Sequence, residues 1–235
     1  MDLTQAKVLI TGGTSGIGYE IAKQMKAQGA QVVICGRNPE RLAKAAEELN
    51  VIGIQADVSK EADVLRLVEA AHTSMNGLNV LINNAAYGYF SLLTEMNTKK
   101  FNALIATNLT GAMMVGCACA KIFTAANYGN IVNISSTAGN TGFASGTAYC
   151  ATKFALKGMT ECWRQELRKH NIRVMLVNPS EVQTDFIPNS GRPPRPKNDS
   201  KLESEEIAHL VLSMLTMRDR GFITEATVFA TNPIG

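Results

Sequence analysis

Histidine is scarce in this chain, with three in 235 residues. His72, His170 and His209 fall on helix-patterned segments or at their ends, away from strand termini, and none is assigned to catalysis. Charge is also thin. Charged residues make up 18% and the net charge is +3, too little to argue for a nucleic-acid partner. No run of eighteen apolar residues occurs, which argues against a membrane span. No basic stretch followed by an apolar core precedes the first strand, so a secretory leader is not expected. The five cysteines (Cys35, Cys117, Cys119, Cys150, Cys162) are odd in number and lack metal-site spacing. Cys117-x-Cys119 sits inside an apolar helical run and misses the two-residue gap of a ligand pair. All five read as reduced thiols of a cytoplasmic protein with no bound metal. The Gly-x-Ser-x-Gly elbow of serine hydrolases is absent. There is no internal repeat and no linker, so residues 1–235 read as a single domain.

What is present is alternation. Apolar strands are expected at 7–11, 31–35, 51–56, 79–84, 129–136 and 172–178, with a seventh at 224–231. Helical patterns lie between them: 19–28, 40–49 behind Pro39, a helix to about Met75 capped by Ser59, 98–126, 148–168, and a last helix to about Met217 opened by Ser204-Glu205-Glu206. Strands alternating with helices mean a parallel sheet covered on both faces, and right-handed crossovers wind it both ways. The fold class is therefore α/β, a Rossmann-type doubly wound sheet of about seven strands. Helix 98–126 is apolar around most of its circumference and reads as buried. The proline-rich stretch 186–202 reads as a loop and a substrate lid.

In such sheets ligands gather at the carboxyl ends of strands. The first strand runs into Thr11-Gly12-Gly13-Thr14-Ser15-Gly16-Ile17-Gly18, and a helix follows. Glycines at 12, 16 and 18 turn the backbone sharply and admit a pyrophosphate to the helix N-terminus. An acid about 20 residues further on would bind the ribose 2′-hydroxyl of NAD. Gly36-Arg37 stands there instead, and an arginine fork suits a 2′-phosphate, which points to NADP(H). Asp57, followed by Val58, closes the third strand and is read either as an acceptor from the adenine amino group or as a plain helix-start carboxylate. Asn83-Asn84 end the fourth strand, where their amides can cross-link strand ends. Asn108, a polar amide within an apolar helix, needs partners and is read either as a kink that holds a water or as a satisfied core asparagine. Ser136 ends the fifth strand, where its hydroxyl can bond a substrate oxygen. Tyr149-Cys150-Ala151-Thr152-Lys153 puts a phenol and an ammonium on one helix face, four residues apart. The positive charge is expected to lower the phenol pKa and suit it to proton transfer at a carbonyl or alcohol oxygen.

Taken in this order, Thr-Gly-x-x-x-Gly-x-Gly, Asn-Asn-Ala, Asn108, Ser136 and Tyr149-x-x-x-Lys153 resemble the short-chain dehydrogenase/reductase family in its compact single-domain branch. The resemblance covers nearly the whole chain and is strongest to 3-oxoacyl-[acyl-carrier-protein] reductase-like members. It implies that Tyr149 is the acid/base, that Lys153 holds the nicotinamide ribose, that Ser136 positions the carbonyl, and that Asn108 anchors a proton-relay water. Thr14, Ser15, Ile17, Asn84, Pro179, Val182 and Thr184 complete the implied cofactor site. Ala86 and Ser180 depart from the family pattern, which has glycine at both places, and Phe229-Ala230-Thr231-Asn232-Pro233 replaces its usual C-terminal sequence. The implied partner is a small carbonyl or alcohol substrate, an acyl thioester included. The implied assembly is a homodimer or homotetramer, which would also cover the apolar helix 98–126. A dinucleotide-binding scaffold without catalysis is the alternative, and an intact tetrad argues against it.

Overall fold

Alternate side chains leave a strand on opposite faces, and the first strand shows how the layers follow from that. In β1 (Lys7–Thr11) Val8 and Ile10 enter one apolar core while Leu9 enters the other. The computed structural model describes residues 1–233 except 185, 187–189 and 191–195. The remaining strands are β2 (Gln31–Gly36), β3 (Ile52–Gln55), β4 (Val80–Asn83), β5 (Gly129–Ile134), β6 (Ile172–Pro179) and β7 (Glu225–Val228). They form one seven-stranded sheet in the order β3-β2-β1-β4-β5-β6-β7. Every pairing is parallel. The chain winds outward from β1 to β3 and returns to β4 beside β1. Their carboxyl ends therefore flank the switch point where such sheets hold ligands.

Helices α1 (Gly16–Ala27), α2 (Pro39–Leu49) and α7 (Ser204–Thr216) cover the first core through Ile21, Met25, Leu42, Ile207 and Val211. Helices α3 (Glu61–Ser74), α5 (Ala112–Ala126) and α6 (Thr147–Leu167) cover the second, with Leu67, Val115 and Phe123 fully buried. Burying one such side chain stabilises the fold by roughly 1.5–3 kcal/mol. Arg173, buried in β6, donates to Asn130 Oδ1 at 2.6 Å and to the Leu215 and Met217 carbonyls at 2.9 and 3.1 Å. It thereby satisfies the open C-terminal end of α7.

Three local expectations change. The third helix starts at Glu61, not behind Ser59. The Ser59 N–H and hydroxyl donate to Asp57 Oδ1 at 3.0 and 2.8 Å, so Ser59 belongs to the preceding turn. The last helix is capped by Glu203, not Ser204, because Glu203 and Glu206 form a reciprocal capping box. Stretch 98–126 is not one regular helix. It comprises α4 (Thr98–Ile105), a π-turn at Ala106–Gly111 and then α5. By length and composition the stretch could cross a membrane, and 44% of its most apolar eighteen-residue window is buried within this fold. It is buried on one side only: Met113 is 40% exposed. The expected lid, 186–202, falls in large part outside the described residues. Near its ends Val182 bridges Leu202, and Gln183 and Asn198 bond each other both ways.

Candidate active site

A cleft of about 1490 Å³ opens over the carboxyl ends of the central strands. Its floor is the glycine loop. Gly12 has φ +67°, in the left-handed region, and an added Cβ there would meet the Ala85 Cα at 2.9 Å. Gly18 lies where a Cβ would stand 2.4 Å from both Asn84 Nδ2 and the Gly12 carbonyl oxygen. Asn84 explains the closeness: its Nδ2 donates to the Thr11 and Gly12 carbonyls, both at 3.0 Å. The Thr11 hydroxyl accepts from the Asn84 and Ala85 N–H groups at 3.0 and 3.1 Å. The end of β4 is thus tied to the loop after β1. Helix α1 begins at Gly16, and the Ser15 side chain makes no capping bond, so the N–H groups of the first turn face the cleft without one. Thr14, Ser15, Gly16 and Ile17 line the cleft there.

At the β2 end stands Arg37, as the sequence predicts, joined by Arg41 from the first turn of α2. Arg41 escaped the sequence reading, although its place four residues after Arg37 on a helix start was the available signal. Burial pushes the Tyr87 phenol up, the Arg37 charge opposes that and the Asp57 charge adds to it. Glycine loop, helix N-terminus and two arginines fit the phosphates of a dinucleotide. Val58 lines the cleft. Asp57 is not among its lining residues, and its Oδ1 accepts from the Ser59 N–H and hydroxyl in the turn behind.

The opposite end carries the acid–base groups. Ser136 follows β5, and its Oγ accepts from the Ala138 N–H at 3.1 Å, leaving the hydroxyl proton for another acceptor. Tyr149 and Lys153 project from the first two turns of α6 into the same cleft. Pro179, Val182 and Thr184 close it from the β6 side. Tyr149 is 8% exposed. The expected lowering of its pKa is reversed: burial pushes the phenol up, and the interaction with Ser136 only partly opposes that. Lys153 does not reverse it, because its ammonium lies 5.6 Å from the ring centroid and donates to the Ile134 carbonyl at 2.9 Å. Burial holds the Lys153 ammonium down at about 8. Near neutrality the pair is therefore a protonated phenol beside a charged ammonium.

Asn108 lies inside the π-turn, where the irregular hydrogen bonding expected of a buried amide is seen. Its Nδ2 donates to the Tyr87 carbonyl at 2.9 Å and its Oδ1 accepts from the Tyr87 N–H at 3.1 Å. It therefore holds the segment after β4 against the helix. Asn83 donates to Asn133 Oδ1 at 3.1 Å beneath the strand ends. No group of three or more His, Cys, Asp or Glu that could hold a metal occurs among the described residues.

The chain matches the family model of short chain dehydrogenases over residues 6–194. An uncharacterized oxidoreductase of Staphylococcus aureus strain MRSA252 is 31% identical over 229 residues, 96% of this chain and 97% of that protein. Among solved structures, an alcohol dehydrogenase from the archaeon Thermococcus sibiricus in complex with 5-hydroxy-NADP superposes with TM-score 0.88 at 25% identity, covering 97% of this chain and 98% of that one. A metagenomic short-chain oxidoreductase in complex with NADP superposes with TM-score 0.84 at 31% identity, covering 98% and 100%. Parallel sheet, glycine loop and family match agree, and the chain belongs to the short-chain dehydrogenase family of oxidoreductases.

Proposed function

We propose that the protein is an NADP(H)-dependent reductase of ketone or aldehyde carbonyls, with Tyr149 as proton donor. The observation that carries this reading is the cleft itself, with Arg37 and Arg41 at one end and Ser136, Tyr149 and Lys153 at the other. Two of the structural relatives hold NADP or its 5-hydroxy derivative, which supports the choice of cofactor. When bound, NADPH supplies hydride to the carbonyl carbon. The Ser136 hydroxyl donates to the substrate oxygen and holds it beside the phenol. Tyr149 gives that oxygen its proton as negative charge develops there, and the raised phenol pKa keeps the proton in place until then. The Lys153 charge faces the tyrosine from one helical turn away and stabilises the phenolate left behind. Asn108 serves the proton relay implied by the family resemblance and fixes Tyr87 at the cleft wall.

A 3-oxoacyl thioester is one carbonyl substrate within this reading. The odd number of cysteines, without metal-site spacing, supports a reducing, cytoplasmic setting. Cofactor choice is tested by kcat/KM with NADPH and NADH. Charge-assisted contacts to a phosphate contribute roughly 1.5–3 kcal/mol, a tenfold or larger preference. Arg37→Ala is expected to erase most of it. Equal use of both cofactors by the parent would sink the NADP assignment, and NADPH binding with no turnover of any carbonyl would leave only the scaffold.

A further inference from the structure

The wall around Tyr149 is aromatic. Phe90, from the segment after β4, lies with its ring centroid 5.6 Å from that of Tyr149 and 6.0 Å from that of Phe143, while Phe186 lies 5.4 Å from Tyr149 on another side. All three phenylalanines line the cleft. They are seated closely. A Cβ on Gly88 would stand 2.6 Å from the Phe90 ring, and one on Gly146 would stand 2.9 Å from that of Phe143. The Ser91 N–H donates to the Ser145 carbonyl at 3.0 Å, so the segments bearing Phe90 and Phe143 are fastened to each other. Phe143 nevertheless leaves 48% of its surface exposed. An apolar ring held rigidly at the cleft and left open is a contact surface, because its burial by a ligand is favourable and costs little side-chain ordering. Among the described residues, the charges at this end are engaged with protein partners. Lys153 donates to the Ile134 carbonyl, and Glu181 pairs with Lys201. A carboxylate or phosphate on the substrate would meet Glu181 here, and among the described lining residues the cations are Lys153, engaged by the Ile134 carbonyl, and Arg37 and Arg41 at the β2 end.

We propose that the substrate presented to Tyr149 is an uncharged ketone or aldehyde carried on a flat apolar ring, an aryl or cyclic ketone, stacked against Phe90 and Phe143. This rests on the carbonyl-reductase reading and narrows it. Tilted rings at 5.4–6.0 Å present both faces and edges, the arrangement aromatic partners prefer.

The test uses the full chain and four carbonyl probes: acetophenone, cyclohexanone, hydroxyacetone and acetoacetyl-coenzyme A. The parent is expected to favour the two ring ketones in kcat/KM by tenfold or more, mainly through KM. Phe143→Ala and Phe90→Ala are expected to shrink the ratio of acetophenone to hydroxyacetone by roughly three- to tenfold each, the range of one aromatic contact. Leu65→Ala, at an exposed position on α3 outside the cleft, serves as control and should leave the ratio as it is. Ligand-observed NMR of acetophenone with the NADP⁺ complex gives a readout without turnover, and its binding signal should weaken in Phe143→Ala. Preference for hydroxyacetone or the thioester, or a ratio indifferent to both phenylalanine changes, overturns the proposal while leaving carbonyl reduction intact. Acetophenone that binds through Phe143 in a protein that turns over no carbonyl would support the aromatic site and overturn the reductase reading instead.

Discussion

At the scale of single residues, the proposed reduction rests on Tyr149 and Lys153. Tyr149→Phe keeps the ring and its packing against Phe90 and Phe186, so folding and NADPH binding should change little. What goes is the proton, and carbonyl reduction should fall by about 10²–10⁴-fold, or about 3–5 kcal/mol of barrier. A variant that reduces its substrate at near-parental kcat would remove Tyr149 from the acid role. Lys153 supplies the pH dependence. Its ammonium is held at about 8, below the ordinary 10.5, because burial disfavours the charge. Reduction should therefore hold steady below pH 8 and decline above it, as the charge that stabilises the phenolate is lost. Stability moves the other way. Between about pH 8 and 10 the folded protein binds fewer protons at this site than the unfolded chain does, so the Lys153 contribution to stability rises with pH. Melting temperatures across that window should rise more in the parent than in Lys153→Met, which lacks the group. Equal pH slopes for the two proteins would count against a depressed lysine.

At the scale of elements, the π-turn at Ala106–Gly111 matters most. A buried asparagine in an apolar helix is a cost unless its amide is bonded, and here both ends of the amide meet the Tyr87 backbone. Asn108→Leu would strand a donor and an acceptor of Tyr87. Each costs about 1–3 kcal/mol when buried and unmet, and for a domain of this length each kcal/mol lowers the melting temperature by roughly 2–4 °C. The melting temperature should drop by several degrees, and kcat should fall further than that loss explains, because the cleft wall at Tyr87 and Phe90 shifts. A variant with parental kcat and a lowered melting temperature would make Asn108 structural only.

At the scale of the whole molecule, the outer faces of α5 and α6 remain open. Met113 is 40% and Phe154 47% exposed on helices that also cover the sheet. Pairing these helices across a two-fold axis would bury both residues. A dimer or tetramer is expected by light scattering at micromolar concentration, and Phe154→Glu should shift it toward monomer. A monomeric parent would contradict the assembly.

Periodicity and turn residues were enough to determine the layers and the alternation of strands and helices from the chain alone. Glycines 12, 16 and 18, Arg37, Ser136, Tyr149 and Lys153 stand at strand or helix ends, where local pattern and chemistry coincide. Other features depended on contacts between residues far apart in sequence. The position of Ser59 depends on whether its hydroxyl goes to a helix or to Asp57. The direction of the Tyr149 shift depends on burial by Phe90 and Phe186 and on the Ile134 carbonyl that takes the Lys153 ammonium. The aromatic wall joins residues 90, 143, 149 and 186, which are neighbours only because parallel strands deliver their carboxyl ends to one edge of the sheet. Desolvation and ring packing are properties of that assembled edge, and a linear pattern carries no record of them.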